Sequence, residues 1–152
     1  MKAKAAGGLP NAAGRRVVIV TAEFYPALAD WLESGARRAL EACGLDAQAC
    51  RWARVDGCFE LPLALRRLIR AECADAAVAL GIVIRGETAH FQYVAGTCAD
   101  GIMAVQLETG VPIGFGVLTT DTAAQAEERA DPARGDKGFS ATVAALRAAL
   151  IH

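Results

Sequence analysis

A chain of 152 residues has room for one domain burying roughly 70% of the surface its unfolded form would expose, and none for a second of ordinary size. Sixteen basic residues against seventeen acidic ones leave a formal net charge of -1, which supplies no field for drawing in nucleic acid or an anionic membrane. The partner is expected to be a small molecule or another protein, and no apolar run approaches the ~20 residues of a membrane-spanning helix.

The first fifteen residues are rich in Gly, Pro and small side chains and read as a flexible N-terminal arm (1–15) ahead of a single domain (16–152). Val17 to Ala22 is a β-branched apolar run, the pattern of a strand buried on both faces. Pro26 opens a segment in which Leu28, Leu32, Ala36, Ala39, Leu40 and Cys43 recur at helical spacing, with Gly44 placed to end the helix. Ala47 to Val55 reads as a second strand, and Leu61, Leu65, Leu68 and Ile69 stripe a second helix running toward Cys73. A third buried strand is expected over Ala76 to Ile84. The following helix carries Phe91, Val94, Cys98, Ile102 and Val105 and stops at Gly110. Pro112 to Leu118 supplies a fourth strand, and Thr120 or Asp121 is placed to cap a short helix through Arg129. After a polar break from Asp131 to Asp136, Phe139, Val143, Leu146 and Leu150 mark the last helix. Strands alternating with helices under the right-handed crossover rule predict a three-layer αβα sandwich on a four-stranded parallel sheet, wound like a flavodoxin.

Cys43, Cys50, Cys58, Cys73 and Cys98 are odd in number, contain no CxxC pair and stand mostly among apolar residues. That usage predicts reduced thiols in a cytoplasmic protein. With two histidines, one of them the terminal His152, they match no familiar zinc spacing, and no metal is expected.

In such a sheet, ligands bind beyond the carboxyl ends of the strands. The loops there hold Phe24, then Cys58, Phe59 and Glu60, then Arg85 to His90, then Thr119 to Thr122. Gly81 to Thr88 nearly spells the phosphate-loop pattern GxxxxGK[ST], but Glu87 stands where the lysine must meet the β and γ phosphates, so a nucleotide loop is excluded. A single phosphate remains compatible with Gly86, Glu87 and Thr88, because free amides and the dipole of the next helix favour an anion. The plainer reading is a strand-to-helix turn capped by Thr88. His90, the one internal histidine, follows at once, and imidazole is the side chain suited to moving protons near neutral pH. Phe24 and Phe59 can stack on a planar heterocycle or simply pack. Glu60, Arg129 and Lys137 each also have an ordinary surface explanation.

Taken together, GCFELPLA, GIVIRGETAHF, GVLTTDTAAQAEERA and GDKG stand in the order and spacing of the lumazine synthases, and the chain resembles that family from Arg16 to Leu150. The resemblance implies condensation of 5-amino-6-(D-ribitylamino)uracil with 3,4-dihydroxy-2-butanone 4-phosphate to 6,7-dimethyl-8-ribityllumazine, the penultimate step of riboflavin biosynthesis, without a cofactor. It implies Phe24 stacking on the pyrimidine, with backbone groups of Val83 and Ile84 at its edge, and Cys58, Phe59 and Glu60 along the ribityl chain. Gly86, Glu87, Thr88 and Arg129 would meet the phosphate, and His90 would move protons. Phe115, Arg129 and Lys137 would reach the site from a neighbouring subunit of a homopentamer. A 60-subunit shell and contact with riboflavin synthase are further implications. The chain departs from the commonest family pattern at Glu23, Tyr25, Asp56 and Asp136. Two other readings keep the fold without the reaction: a flavin- or lumazine-binding or shell-forming paralogue, and an FMN carrier, for which the first loop lacks a Ser/Thr-rich phosphate cradle.

Overall fold

The computed structural model describes residues 8–152. Strand β1 (Val17–Ala22) is buried along its whole length, as its unbroken apolar run requires of a central strand. The chain then lays β2 (Arg51–Val55) on one side of β1 and β3 (Ala76–Ile84) on the other, and adds β4 (Ile113–Thr120) beyond β3. All pairs are parallel, in the order β2-β1-β3-β4, so the direction of winding reverses between β1 and β3. That reversal opens a crevice at the carboxyl ends of the strands.

Alternation along the strands divides the core in two. Ile19, Val78, Leu80 and Leu118 face α1 (Pro26–Ala42), α4 (Ala123–Ala130) and α5 (Lys137–Ala149). Val18, Val20, Ala79 and Val117 face α2 (Leu61–Glu72) and α3 (His90–Thr109). The flavodoxin-like sandwich expected from the alternating pattern is the one observed. Gly44 at φ +88° and Gly110 at φ +70° end α1 and α3 in the left-handed region that a side chain disfavours. Helix α5 is wedged between α1 and β4: a Cβ on Gly138 would collide with the Leu32 carbonyl oxygen, and one on Gly114 with that of Ala141.

Several boundaries differ from expectation. Ala47–Ala49 forms a 3-10 turn instead of strand, because the Asp46 carboxylate accepts the Gln48 N–H at 3.0 Å and curls the chain before β2. The cap of α4 is Thr122, not Thr120 or Asp121. Thr122 Oγ1 accepts the Gln125 N–H at 3.1 Å while Gln125 Oε1 accepts from Thr122 N at 3.3 Å, a reciprocal capping box. Thr120 instead donates its hydroxyl to the Thr122 carbonyl at 2.9 Å. Strand β4 runs two residues further than its apolar run, and α5 ends at Ala149 with Leu150 as its cap. The arm expected over residues 1–15 lies partly outside the described residues. From Gly8 onward the chain follows the domain, with Ala12 buried and its N–H donating to the Cys43 carbonyl at 2.8 Å.

Thr21, fully buried in β1, has a side-chain oxygen with no hydrogen-bond partner among the described residues. An unsatisfied buried hydroxyl costs about 1 to 3 kcal/mol. Thr21→Val is therefore expected to stabilise by roughly 1 kcal/mol, read as a higher urea midpoint at unchanged m-value. A lower midpoint would mean that the hydroxyl is satisfied in solution.

Candidate active site

A cleft of about 610 Å³ lies over the carboxyl ends of β1, β2 and β3. Phe24 and Tyr25 form one wall from the β1–α1 loop, and Asp56 to Glu60 form a second from the β2–α2 loop. The floor is Ile82, Val83 and Ile84 at the end of β3, and His90, Tyr93 and Val94 close the side along the first turns of α3. A second hollow, of about 490 Å³ at the opposite end of the sheet, is lined by groups such as Arg16, Asp46, Arg51 and Glu72 and contains no aromatic ring and no histidine. Of the two, only the first brings together rings, an imidazole and a carboxylate.

The Phe24 ring is 70% exposed, meets Tyr25 edge-on at 5.0 Å between centroids, and so presents a face to a flat ligand. Its loop is steadied from beneath. Arg54 on β2 binds Asp30 at 2.6 Å and Glu33 at 2.9 Å and reaches Glu23, the residue before Phe24, at 3.4 Å. Those carboxylates hold the guanidinium well above even its usual range.

Cys58 is buried at the cleft edge, where Gly81 makes room for it: a Cβ on Gly81 would stand 2.6 Å from Cys58 Sγ. A hydrogen bond with Cys98 and burial push the Cys58 thiol up, so it meets the cleft as a neutral, weakly polar group and not as a thiolate nucleophile. All five cysteines are free. Among the described residues no group of three or more His, Cys, Asp or Glu side chains could hold a metal ion.

Between β3 and α3 the chain is exposed from Arg85 to His90. The cap expected at Thr88 falls instead on Ala89, which offers no side-chain bond, and Thr88 Oγ1 accepts the His90 N–H at 3.3 Å from one residue further back. The cleft therefore gathers seven of the residues singled out from the sequence: Phe24, Cys58, Phe59, Glu60, Val83, Ile84 and His90. Gly86, Glu87 and Thr88 adjoin it through His90 but do not line it. Three others stand apart. Phe115 is half-exposed on β4, Arg129 sits in the last turn of α4, and Lys137 opens α5, with both of those helices on the far face of the sheet from α3. Tyr93 and Val94 were not singled out as site residues, though they lie three and four residues beyond His90, the spacing at which helix positions share a face.

The sequence profile of 6,7-dimethyl-8-ribityllumazine synthase matches residues 14–152. The chain belongs to this family. A 6,7-dimethyl-8-ribityllumazine synthase of Kineococcus radiotolerans is 51% identical over 90% of this chain and 84% of its own length. The enzyme of the same name from Thermus thermophilus is 44% identical over 96% of this chain and 93% of its own, and that from Leifsonia xyli 46% identical over 94% and 93%. The resemblance carried by the four loop motifs is thereby borne out across the domain, and membership makes the chain a transferase of riboflavin biosynthesis.

Proposed function

We propose that the cleft is where this chain condenses 5-amino-6-(D-ribitylamino)uracil with 3,4-dihydroxy-2-butanone 4-phosphate to 6,7-dimethyl-8-ribityllumazine, releasing phosphate and water. The observation that carries this placement is the meeting of an exposed aromatic face, polar strand-end groups and one imidazole in a single crevice of a lumazine synthase family member. Phe24 stacks on the pyrimidine while backbone groups of Val83 and Ile84 bond its edge. Cys58, Phe59 and Glu60 hold the ribityl chain. The phosphate lies against the amides of Gly86, Glu87 and Thr88, where the dipole of the twenty-residue α3 favours negative charge. His90 carries protons as the amine adds to the ketone, as phosphate leaves and as the ring closes. Holding both reactants in one crevice makes the encounter effectively unimolecular, which lightens the demand on acid-base groups.

Phe115, Arg129 and Lys137 complete the site from a neighbouring subunit. Two features support this reading. In one protomer they stand outside the cleft, and α3 is apolar on more than its buried side. Tyr93, Met103 and Leu107 on α3 are 71%, 51% and 75% exposed, and Phe115 on the neighbouring edge strand adds to them. Such exposure in a small domain marks a protein contact surface. The active unit is a cytoplasmic homopentamer, able to build a 60-subunit shell and to meet riboflavin synthase. Mixing the purified protein with both substrates should produce lumazine absorbance, and light scattering at micromolar concentration should return the mass of a pentamer. Monomer alone, or no lumazine at saturating substrates, would overturn the respective half of this proposal.

A further inference from the structure

Arg85, the first residue after β3, prolongs the β3–β4 ladder by donating its N–H to the Thr120 carbonyl at 2.8 Å. Its Nε donates to Asp121 Oδ1 at 2.8 Å, and its guanidinium carbon lies 4.5 Å from the centre of the Phe91 ring. Asp121 is itself held, since its N–H donates to Gln125 Oε1 at 2.9 Å in the capping box of α4. Phe91 follows His90 directly and packs against the α2–α3 half of the core. The turn before it is exposed throughout, and the first residues of α3 have no side-chain cap beyond the bond to Thr88. The first turn of α3 is thus seated at Phe91, between the core below and a flat cation tied to β4 above.

We propose that Arg85 is a positioning residue for His90: clamped by Asp121, its guanidinium lies on the Phe91 ring and fixes the helix turn that aims the imidazole into the cleft. This rests on the reading of His90 as proton carrier. Arg85 is assigned this role ahead of that of a phosphate ligand because Asp121 offsets its charge and the Phe91 ring lies against its guanidinium. Lysine can keep the ion pair but not the flat stacking. The same network reaches Arg129 on α4, whose Nη1 donates to the Gln125 carbonyl at 3.1 Å, so Asp121 stands between the His90 turn of this chain's own site and the arginine that the chain lends to a neighbouring one.

The test is steady-state kinetics on the assembled enzyme. Arg85→Ala should lower kcat on the order of 10-fold, within the ~100-fold that misplacement by an ångström can cost, with KM for both substrates nearly unchanged. Arg85→Lys should restore part of the rate, and Asp121→Asn should fall in the same direction as Arg85→Ala. In a His90→Ala background, Arg85→Ala should cost nothing further, because residues acting through one contact are not additive. A repeated ~10-fold loss in that background would overturn the proposal, as would wild-type kcat in the Arg85→Ala single variant. A rise in KM for the phosphorylated ketose alone would make Arg85 a ligand and overturn it too. Wild-type turnover by His90→Ala itself would remove the proton-carrier reading and this proposal together, an outcome read on a separate arm. Matching thermal melts for Arg85→Lys and wild type keep the comparison free of folding effects.

Discussion

His90→Ala is expected to turn over about 10²-fold more slowly while binding both substrates nearly as well as the parent enzyme. A positioned general acid-base group contributes roughly 10² to 10⁴-fold. The lower figure applies because proximity of two reactive partners already supplies much of the acceleration. The imidazole sits at the cleft wall, at the start of α3, where its removal leaves solvent and no cavity in the core. Stability should therefore be untouched, and the loss should appear in single-turnover rate with both substrates saturating. An unchanged rate would remove His90 from the proton-transfer steps.

Arg129→Lys is expected to weaken apparent affinity for the phosphorylated ketose by about 10 to 150-fold, the equivalent of the roughly 1.5 to 3 kcal/mol of a charge-assisted hydrogen bond. Within the protomer the guanidinium spends one nitrogen on the Gln125 carbonyl and is otherwise exposed, so its fork is available for a bidentate grip that an ammonium cannot copy. Affinity for the pyrimidine should change little. Because Arg129 and Phe24 are assigned to different subunits of one site, co-refolding Arg129→Ala with Phe24→Ala should regenerate some sites with both parent residues and recover part of the activity. Mixed pentamers no more active than either mutant alone would mean that each subunit builds its site unaided.

The strands and helices were legible because the two hydrophobic periods change cleanly along this chain. Val17 to Ala22 and Ala76 to Ile84 could hardly be anything but central strands, and both are buried throughout or nearly so. Misreadings fell where a single side chain decides the backbone. Asp46 curls Ala47–Ala49 out of the strand, and Gln125 selects Thr122 over two equally suitable neighbours as cap. The T-x-x-Q signature at 122–125 was present to be read. The site was legible through its strand-end placement and its motifs, whereas the roles of Tyr93 and Arg85 were not. Arg85 depends on which way a side chain leaves an exposed turn, a matter that loop composition does not encode, whereas Tyr93 sits on the helix face of His90, three residues on, where only the spacing pointed to it. The departures at Glu23 and Asp136 acquire partners in space, Arg54 and Arg38, that lie 31 and 98 residues away.

The same apolar side chains on α3 and β4 make the newly made protomer vulnerable in time as well as in space. Met103 and Leu107 lie one helical turn apart and are largely uncovered in the single chain. Phe115 lies on an edge strand whose outer backbone groups have no ladder partner among the described residues. On the proposed pentameric reading, specific association and indiscriminate sticking compete for the same groups, and the competition is governed by concentration and rate more than by the stability of the finished fold. Slow synthesis and a cool growth temperature should therefore raise the soluble yield of this protein more than any substitution that stabilises its core.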